Sequence, residues 1–325
     1  MVADVAEHNE DRRALFEGGF LIMPTIVAFL DVLGFSDYAK EDLEGAVRLL
    51  GHQEFILRQK IQDGKLYPPS KYSDQSLAAL AEAHLVDSFK LFLPFSDSIF
   101  IVSETPDKFA QQLSHFLIEC LLLIGHVYDD AEDPALPEAV KIVEFPAGDT
   151  HPERWYPPLW RGGMAIGELV AGGVTGIEDG EDIRIPNLAG PAVVKAVLAE
   201  KTCRGPRLLC EAGFEKNFGP EVQRYFRKVT DETNELLWPA FIYNLNNKAN
   251  IEMFEFGKLW SPAVALWKSK RGHKAFEHYD EFLKLLVRSF LCWAEIAGCT
   301  TEARTIVRRW MAKDLSEDLI ESFLQ

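Results

Sequence analysis

The sequence has no apolar run approaching the roughly 20 residues needed to span a bilayer, and residues 1–13 are polar and acidic rather than an apolar signal stretch. Neither a membrane span nor secretion is expected. Cysteine is scarce and unpaired. Cys120, Cys203, Cys210, Cys292 and Cys299 include no C-x-x-C pair and no histidine at zinc-ligand spacing. A disulfide framework and a structural zinc site are therefore not expected, and the reading is a reduced, cytoplasmic chain. No G-x-G-x-x-G or G-x-x-x-x-G-K-[ST] occurs, so dinucleotide and P-loop readings lose their main support. No internal repeat or coiled-coil heptad is seen. Basic residues are thin in residues 1–215, with 18 against 35 acidic ones, whereas residues 216–325 hold 16 against 15. An acidic first part argues against non-specific binding to duplex DNA, which needs phosphate-neutralising cations. A small phosphorylated substrate held with a metal ion stays open.

What is present is an ordinary globular composition. The 325 residues are 47% hydrophobic and 26% charged, with a net charge of −16. That suffices for a large core in one large or two medium domains. Residues 23–30, MPTIVAFL, form a β-branched apolar run that predicts a buried strand. Apolar residues at helical spacing predict a helix within 37–61. Residues 63–83, with Pro68-Pro69, several serines and an alanine-rich stretch, read as a loop with one short helical turn. Residues 85–104, LVDSFKLFLPFSDSIFIVSE, predict two strands joined by a polar turn at Ser96-Asp97-Ser98. A helix over 107–128 follows, then an irregular insertion over 129–158 with a short strand at 140–145. Residues 160–167 predict a glycine-rich strand and 169–185 a hairpin arm. A helix over 192–201 and a strand over 206–210 complete the series. From residue 215 the pattern is mostly helical, and 279–324 reads as two amphipathic helices broken at Gly298. The order of elements predicts an α+β fold around a mostly antiparallel sheet, of ferredoxin-like type, rather than a doubly wound sheet.

Two carboxylates stand out. Asp31 ends the buried strand, and Asp97 lies in the hairpin turn. If the strand lies beside the hairpin, both reach one point at the sheet's end. Two carboxylates and a backbone carbonyl are hard oxygen ligands suited to Mg²⁺ or Mn²⁺. The alternative is that Asp97 caps a turn and Asp31 caps the following helix.

Four segments then share one resemblance. LDVLGFS at 30–36 resembles the F-x-D-[IVL]-x-G-F-[ST] signature of the class III nucleotide cyclases. FSDSIFIV at 95–102 is similar to their second metal hairpin, with Ser96 where glycine is usual. RGGMAIG at 161–167 is similar to their R-x-G-[IM]-x-x-G strand, and NLAGPAVVKAVLAE at 187–200 resembles the segment G-x-x-V-N-x-A-x-R. The matches fall in family order across about residues 23–212. The chain most resembles the bacterial pyrimidine cyclases of anti-phage signalling systems. The resemblance implies a cyclase domain over 23–214, preceded by an N-terminal arm (1–22) and followed by a helical extension (215–325) that packs on the core or dimer. It implies that Asp31, Asp97 and the Val32 carbonyl hold two Mn²⁺ or Mg²⁺ ions, and that Arg161 contacts the β- or γ-phosphate. It also implies a homodimer with composite sites, because one chain carries one set of motifs.

The departures are specific. The family's transition-state asparagine falls on Val194 and its phosphate-stabilising arginine on Leu198, and neither side chain can do that work. Lys195, Lys201, Arg204 and Arg207 are the nearby cations. The two base-reading positions fall on Leu93, which makes no polar contact, and Asn187, whose amide both donates and accepts. Loss of the purine contact points to a pyrimidine, with UTP ahead of CTP. The cyclic nucleotide would then act on a separate effector. A purine cyclase, a non-catalytic cyclase-like dimer and a scaffold with an acidic face are the rival readings. For the C-terminal helices the alternative to packing is a pocket wall in which Trp238, Phe241 or Tyr243 stacks on the base.

Overall fold

The computed structural model describes residues 21–41, 43–122, 140–144, 150–154, 159–178, 181–244, 256–269 and 276–324. The apolar run becomes strand β1 (Leu21–Val32). After it come helices α1 (Phe35–Glu41) and α2 (Leu43–Leu66), a 3-10 turn (Pro69–Lys71) and helix α3 (Gln75–Ala83). Strands β2 (Leu91–Phe95) and β3 (Ser98–Ser103) form the hairpin, and helix α4 spans Pro106–Leu122. A separate two-stranded unit pairs β4 (Val140–Glu144) with β5 (Thr150–Arg154). The long ribbon β6 (Trp160–Glu178) and β7 (Glu181–Ala189) leads into α5 (Pro191–Lys201) and β8 (Leu208–Glu211). Short elements follow: α6 (Pro220–Gln223), β9 (Phe226–Lys228), β10 (Thr233–Leu236) and α7 (Ala240–Asn244). The C-terminal helices are α8 (Phe256–Ser269), α9 (Phe276–Ala297), α10 (Thr300–Met311) and α11 (Glu317–Leu324).

The fold is α+β. Its eight-stranded sheet runs β2-β3-β1-β6-β8-β10-β9, with β7 paired to the outer part of β6. Every pairing is antiparallel except β6 with β8, so the sheet is mixed and mostly antiparallel. Alternation along β1 divides two cores. Ile26, Ala28, Leu30 and Val32 join the larger one, with α4 and the C-terminal helices. Val27, with Phe29 packed beside it, faces the smaller one, closed by Ala192 and Ala196 of α5. Gly163 makes that closure possible, because a Cβ there would overlap the Ala196 carbonyl oxygen.

Several expectations need correction. Residues 63–83 hold the end of α2 and all of α3, whose N-terminus is capped by Asp74 accepting from the Ser76 and Leu77 amides at 2.8 and 3.0 Å. The region after residue 215 is mostly helical, as its pattern predicts, but it also supplies β9 and β10, two short strands that extend the sheet. The stretch 279–324 holds three helices, broken first at Gly298 (φ +71°) and again before Glu317. Trp238, Phe241 and Tyr243 are core side chains, each at most 3% exposed. The Trp238 Nε1 donates to the Pro206 carbonyl at 2.8 Å, and Tyr243 packs on Phe290 and Trp293. They present no face to a base. Of the expected arm at 1–22, residues 21 and 22 belong to β1, while residues 1–20, the helix end at 123–128 and most of the insertion at 129–158 lie outside the described residues. No helix among the described residues is long and apolar enough to cross a membrane.

Candidate active site at the end of the central strand

The register of three strands brings the site together. Asp31 pairs with Ser98 on β3 and with Arg161 on β6, so the three side chains share one sheet face. The Ser98 hydroxyl donates to Asp31 Oδ1 at 3.0 Å. Arg161 donates through Nε (3.1 Å) and Nη2 (2.9 Å), both to Asp31 Oδ2. The hairpin turn is tied to the same end of β1, because the Val32 amide donates to the Asp97 carbonyl at 3.0 Å. Ser96, beside Asp97, sits in the left-handed region at φ +56°, the one non-glycine among the described residues to do so. The Asp97 carboxylate makes no hydrogen bond or ion pair to a described residue. Asp31, Asp97 and Val32 thus meet at one corner. Their oxygens are acceptor-only donors of the hard type that Mg²⁺ or Mn²⁺ takes. The donor set fits such an ion, provided Asp31 gives up its contact with Arg161.

Glu200 completes this corner, and the sequence reading gave it no role. It lies on α5 in register with Ala192 and Ala196 and is 4% exposed. Its Oε1 is 2.5 Å from Arg161 Nε, yet that oxygen accepts no aligned hydrogen bond. Burial raises the Glu200 carboxyl above its ordinary range; the Arg161 charge pulls it down, and Asp31 pushes it up. The signal was in the sequence: an acidic residue four positions beyond a buried alanine falls on the same helix face. His278 of α9 is a second unforeseen neighbour. Its Nδ1 accepts from the Gly205 amide at 2.9 Å. Burial lowers its affinity for a proton, and the Arg161 charge lowers it further. No pattern around His278 announces this.

The remaining predicted residues are more dispersed. Leu93 of β2 pairs with Phe100, which pairs with Phe29. The Phe29 and Phe100 rings are 4.7 Å apart, forming an apolar strip two residues along β1 from Asp31. Val194, Lys195 and Leu198 lie on the exposed side of α5, and Lys195 is paired to Glu211 at 2.8 Å. Arg204 pairs with Glu277, and Arg207 is bound to Glu235, whereas Lys201 is exposed with no ion pair to a described residue. Asn187 sits on β7 opposite Gly172, its Oδ1 accepting from the Leu188 amide at 2.9 Å. Gly172 lies beyond the pairing of Ala171 with Leu21, at the other end of β1. At about 3.3 Å per residue, Asn187 is roughly 30 Å from Asp31 within one chain. It lines a separate, mainly apolar cavity of about 560 Å³ with Thr25, Lys60 and Phe92, which none of Asp31, Asp97 and Arg161 lines.

No protein-family model matches the sequence, and no curated protein matches it. Solved structures with a similar arrangement include the guanylyl cyclase Cya2, at 14% identity and TM-score 0.41, covering 67% of this chain and 93% of that one. The adenylyl cyclase CyaB from P. aeruginosa is 12% identical with TM-score 0.37, over 67% of this chain and 96% of its own. A bacterial light-regulated adenylyl cyclase is 11% identical with TM-score 0.41, over 73% of this chain and 62% of that chain.

Proposed function

We propose that the chain is a nucleotide cyclase that converts a pyrimidine nucleoside triphosphate, UTP before CTP, to its 3′,5′-cyclic nucleotide and pyrophosphate. The observation that carries this reading is the corner itself. Asp31 and Asp97, far apart in sequence, are joined by the Val32–Asp97 backbone hydrogen bond, and Arg161 lies against Asp31. Asp31, Asp97 and the Val32 carbonyl would hold two divalent ions. When bound, such ions supply Lewis-acid activation of the ribose 3′-hydroxyl and charge neutralisation of the triphosphate. Arg161 then binds the β- or γ-phosphate, and the 3′-oxygen attacks the α-phosphorus in line as pyrophosphate leaves. The apolar strip of Leu93, Phe100 and Phe29 shields one side of the corner from water. Because Asn187 lies far from Asp31 within one chain, a base reader at that position serves a site completed by a second copy. That separation supports a homodimer with composite sites. The cyclic product would be a messenger for a separate effector in antiviral defence, made by residues 23–214 with 215–325 as an extension on the core.

A second reading is favoured by one observation. Val194 and Leu198, at the positions of the family's asparagine and arginine, are 58% and 55% exposed and apolar. A cyclase-like dimer that binds ligands without turnover would tolerate them. The test is to incubate the protein separately with ATP, GTP, CTP and UTP, each with Mn²⁺ or Mg²⁺, and resolve the products by mass. A cyclic pyrimidine is the expected product. A cyclic purine would keep the reaction and remove the base preference. No product from folded, dimeric protein would favour the binding reading.

A further inference from the structure

Arg161 has one guanidinium and two carboxylates competing for it. Its Nε–H is donated to Asp31 Oδ2 at 3.1 Å, while Glu200 Oε1 lies 2.5 Å from the same nitrogen without an aligned hydrogen bond. Glu200 is 4% exposed, so water offers its idle oxygen little compensation. The Arg161 side chain is 30% exposed and less constrained. A small rotation would turn its Nε–H from Asp31 to Glu200, satisfying the idle oxygen and freeing Asp31.

We propose that Glu200 is a positioning residue that takes Arg161 from Asp31 when a divalent cation binds there, so that cation binding and arginine release are one exchange. The inference rests on the reading of Asp31 as a cation ligand. Its physical basis is counter-charge. A cation at Asp31 displaces the guanidinium, and a partly buried guanidinium without a partner is costly. Glu200 receives it at no such cost.

The exchange is testable by Mn²⁺ alone, counting free Mn²⁺ by electron paramagnetic resonance during titration of the full chain. Asp31→Asn is expected to abolish binding. Glu200→Gln should weaken it about tenfold, because Arg161 then has no second partner. Arg161→Gln should strengthen binding by removing the competitor. The deciding variant is the double substitution Arg161→Gln with Glu200→Gln, expected within about twofold of Arg161→Gln alone, since Glu200 acts through Arg161. If Glu200 acted merely as one more negative charge, its loss would weaken binding equally in both backgrounds, and the inference would be overturned. Glu200→Asp keeps the charge and should restore most of the affinity; together with the double variant it tests the exchange even if Glu200→Gln fails to fold. No Mn²⁺ binding by the unaltered chain, or binding unchanged in Asp31→Asn, would overturn the cation site as well. Loss in Asp31→Asn with none in Glu200→Gln would overturn the exchange alone.

Discussion

Two arginine–carboxylate clusters in this molecule have opposite designs. In one, Glu235 of β10 is fully buried between Arg207, at 2.5 and 3.1 Å, and Arg227, at 3.1 and 2.7 Å. Both its oxygens are satisfied, and Glu281, 4.0 Å from Arg207, is a second carboxylate that balances the two arginines. In the other, Arg161 alone serves Asp31 and Glu200, and one Glu200 oxygen accepts no hydrogen bond. The first cluster is closed and leaves no deficit for a ligand to fill. The second has one carboxylate too many, a deficit that a cation removes. Charge balance, more than burial, separates a fastening from a site.

The sharpest way to break this comparison is to empty the second cluster. On the proposed function, Asp31→Ala should abolish nucleotide turnover and leave the fold and the oligomeric state unchanged, as checked by product mass and by sedimentation. Full activity in that variant would sink the cyclase reading. The reverse is expected of the first cluster. Glu235→Gln leaves Arg207 and Arg227 facing a neutral amide in a buried place. It should cost about 3–5 kcal/mol of stability, read from urea unfolding. If Glu235→Gln were as stable as the parent, charge balance would not be what fastens β10 to β8.

A third cluster supplies a balanced control. Lys60, 3% exposed, pairs with Glu119 at 2.8 Å, and the His84 Nδ1 lies 2.5 Å from the same carboxylate oxygen. His115 sits against His84 with its Nε2 buried and unpartnered. Burial, and then the charges of His84 and Lys60, depress its pKa to about 3, against an ordinary 6.5. The unfolded chain therefore takes up a proton near pH 6.5 that the folded chain refuses. Stability is complete above pH 6.5 and falls as pH drops toward 3. By pH 5 the loss attributable to this residue should be about 2 kcal/mol. His115→Phe should flatten that part of the pH profile, and an unchanged slope would assign the loss to other groups.

How much of this was legible from residues follows from the range of each interaction. β1, the hairpin, the glycine strand and α5 carry local apolar periodicity, and all four stand where they were read. Asp31 and Asp97 share a corner only if β1 lies beside the hairpin, a condition that no local pattern decides and that the β1–β3 register supplies. β10 escaped because Thr233–Leu236 reads as polar, and its glutamate is neutralised by arginines 28 and 8 residues away. α3 escaped because Pro68-Pro69 masked the cap at Asp74. Glu200 ends the fourth motif and carries no role in the sequence reading, although its spacing from Ala196 places it on the same helix face. Contacts made across the sheet, such as Arg161 with both carboxylates, have no local pattern at all.

The smallest expected effect concerns the turn that carries Asp97. Ser96 holds φ +56°, a conformation that costs an L-residue about 1 kcal/mol and glycine almost nothing. Glycine also gives the unfolded chain more freedom, which returns part of that gain. The balance predicts that Ser96→Gly stabilises by about 0.5 kcal/mol, a rise of about 0.7 °C in melting temperature for a chain of 325 residues. The Ser96 side chain is exposed, so no packing is lost. The Asp31–Ser98 and Val32–Asp97 hydrogen bonds do not involve residue 96, so the corner should keep its geometry. A lower melting temperature would mean that the serine hydroxyl supports the turn. The open cluster would then be held by more than the strand register and the backbone bond that now account for it.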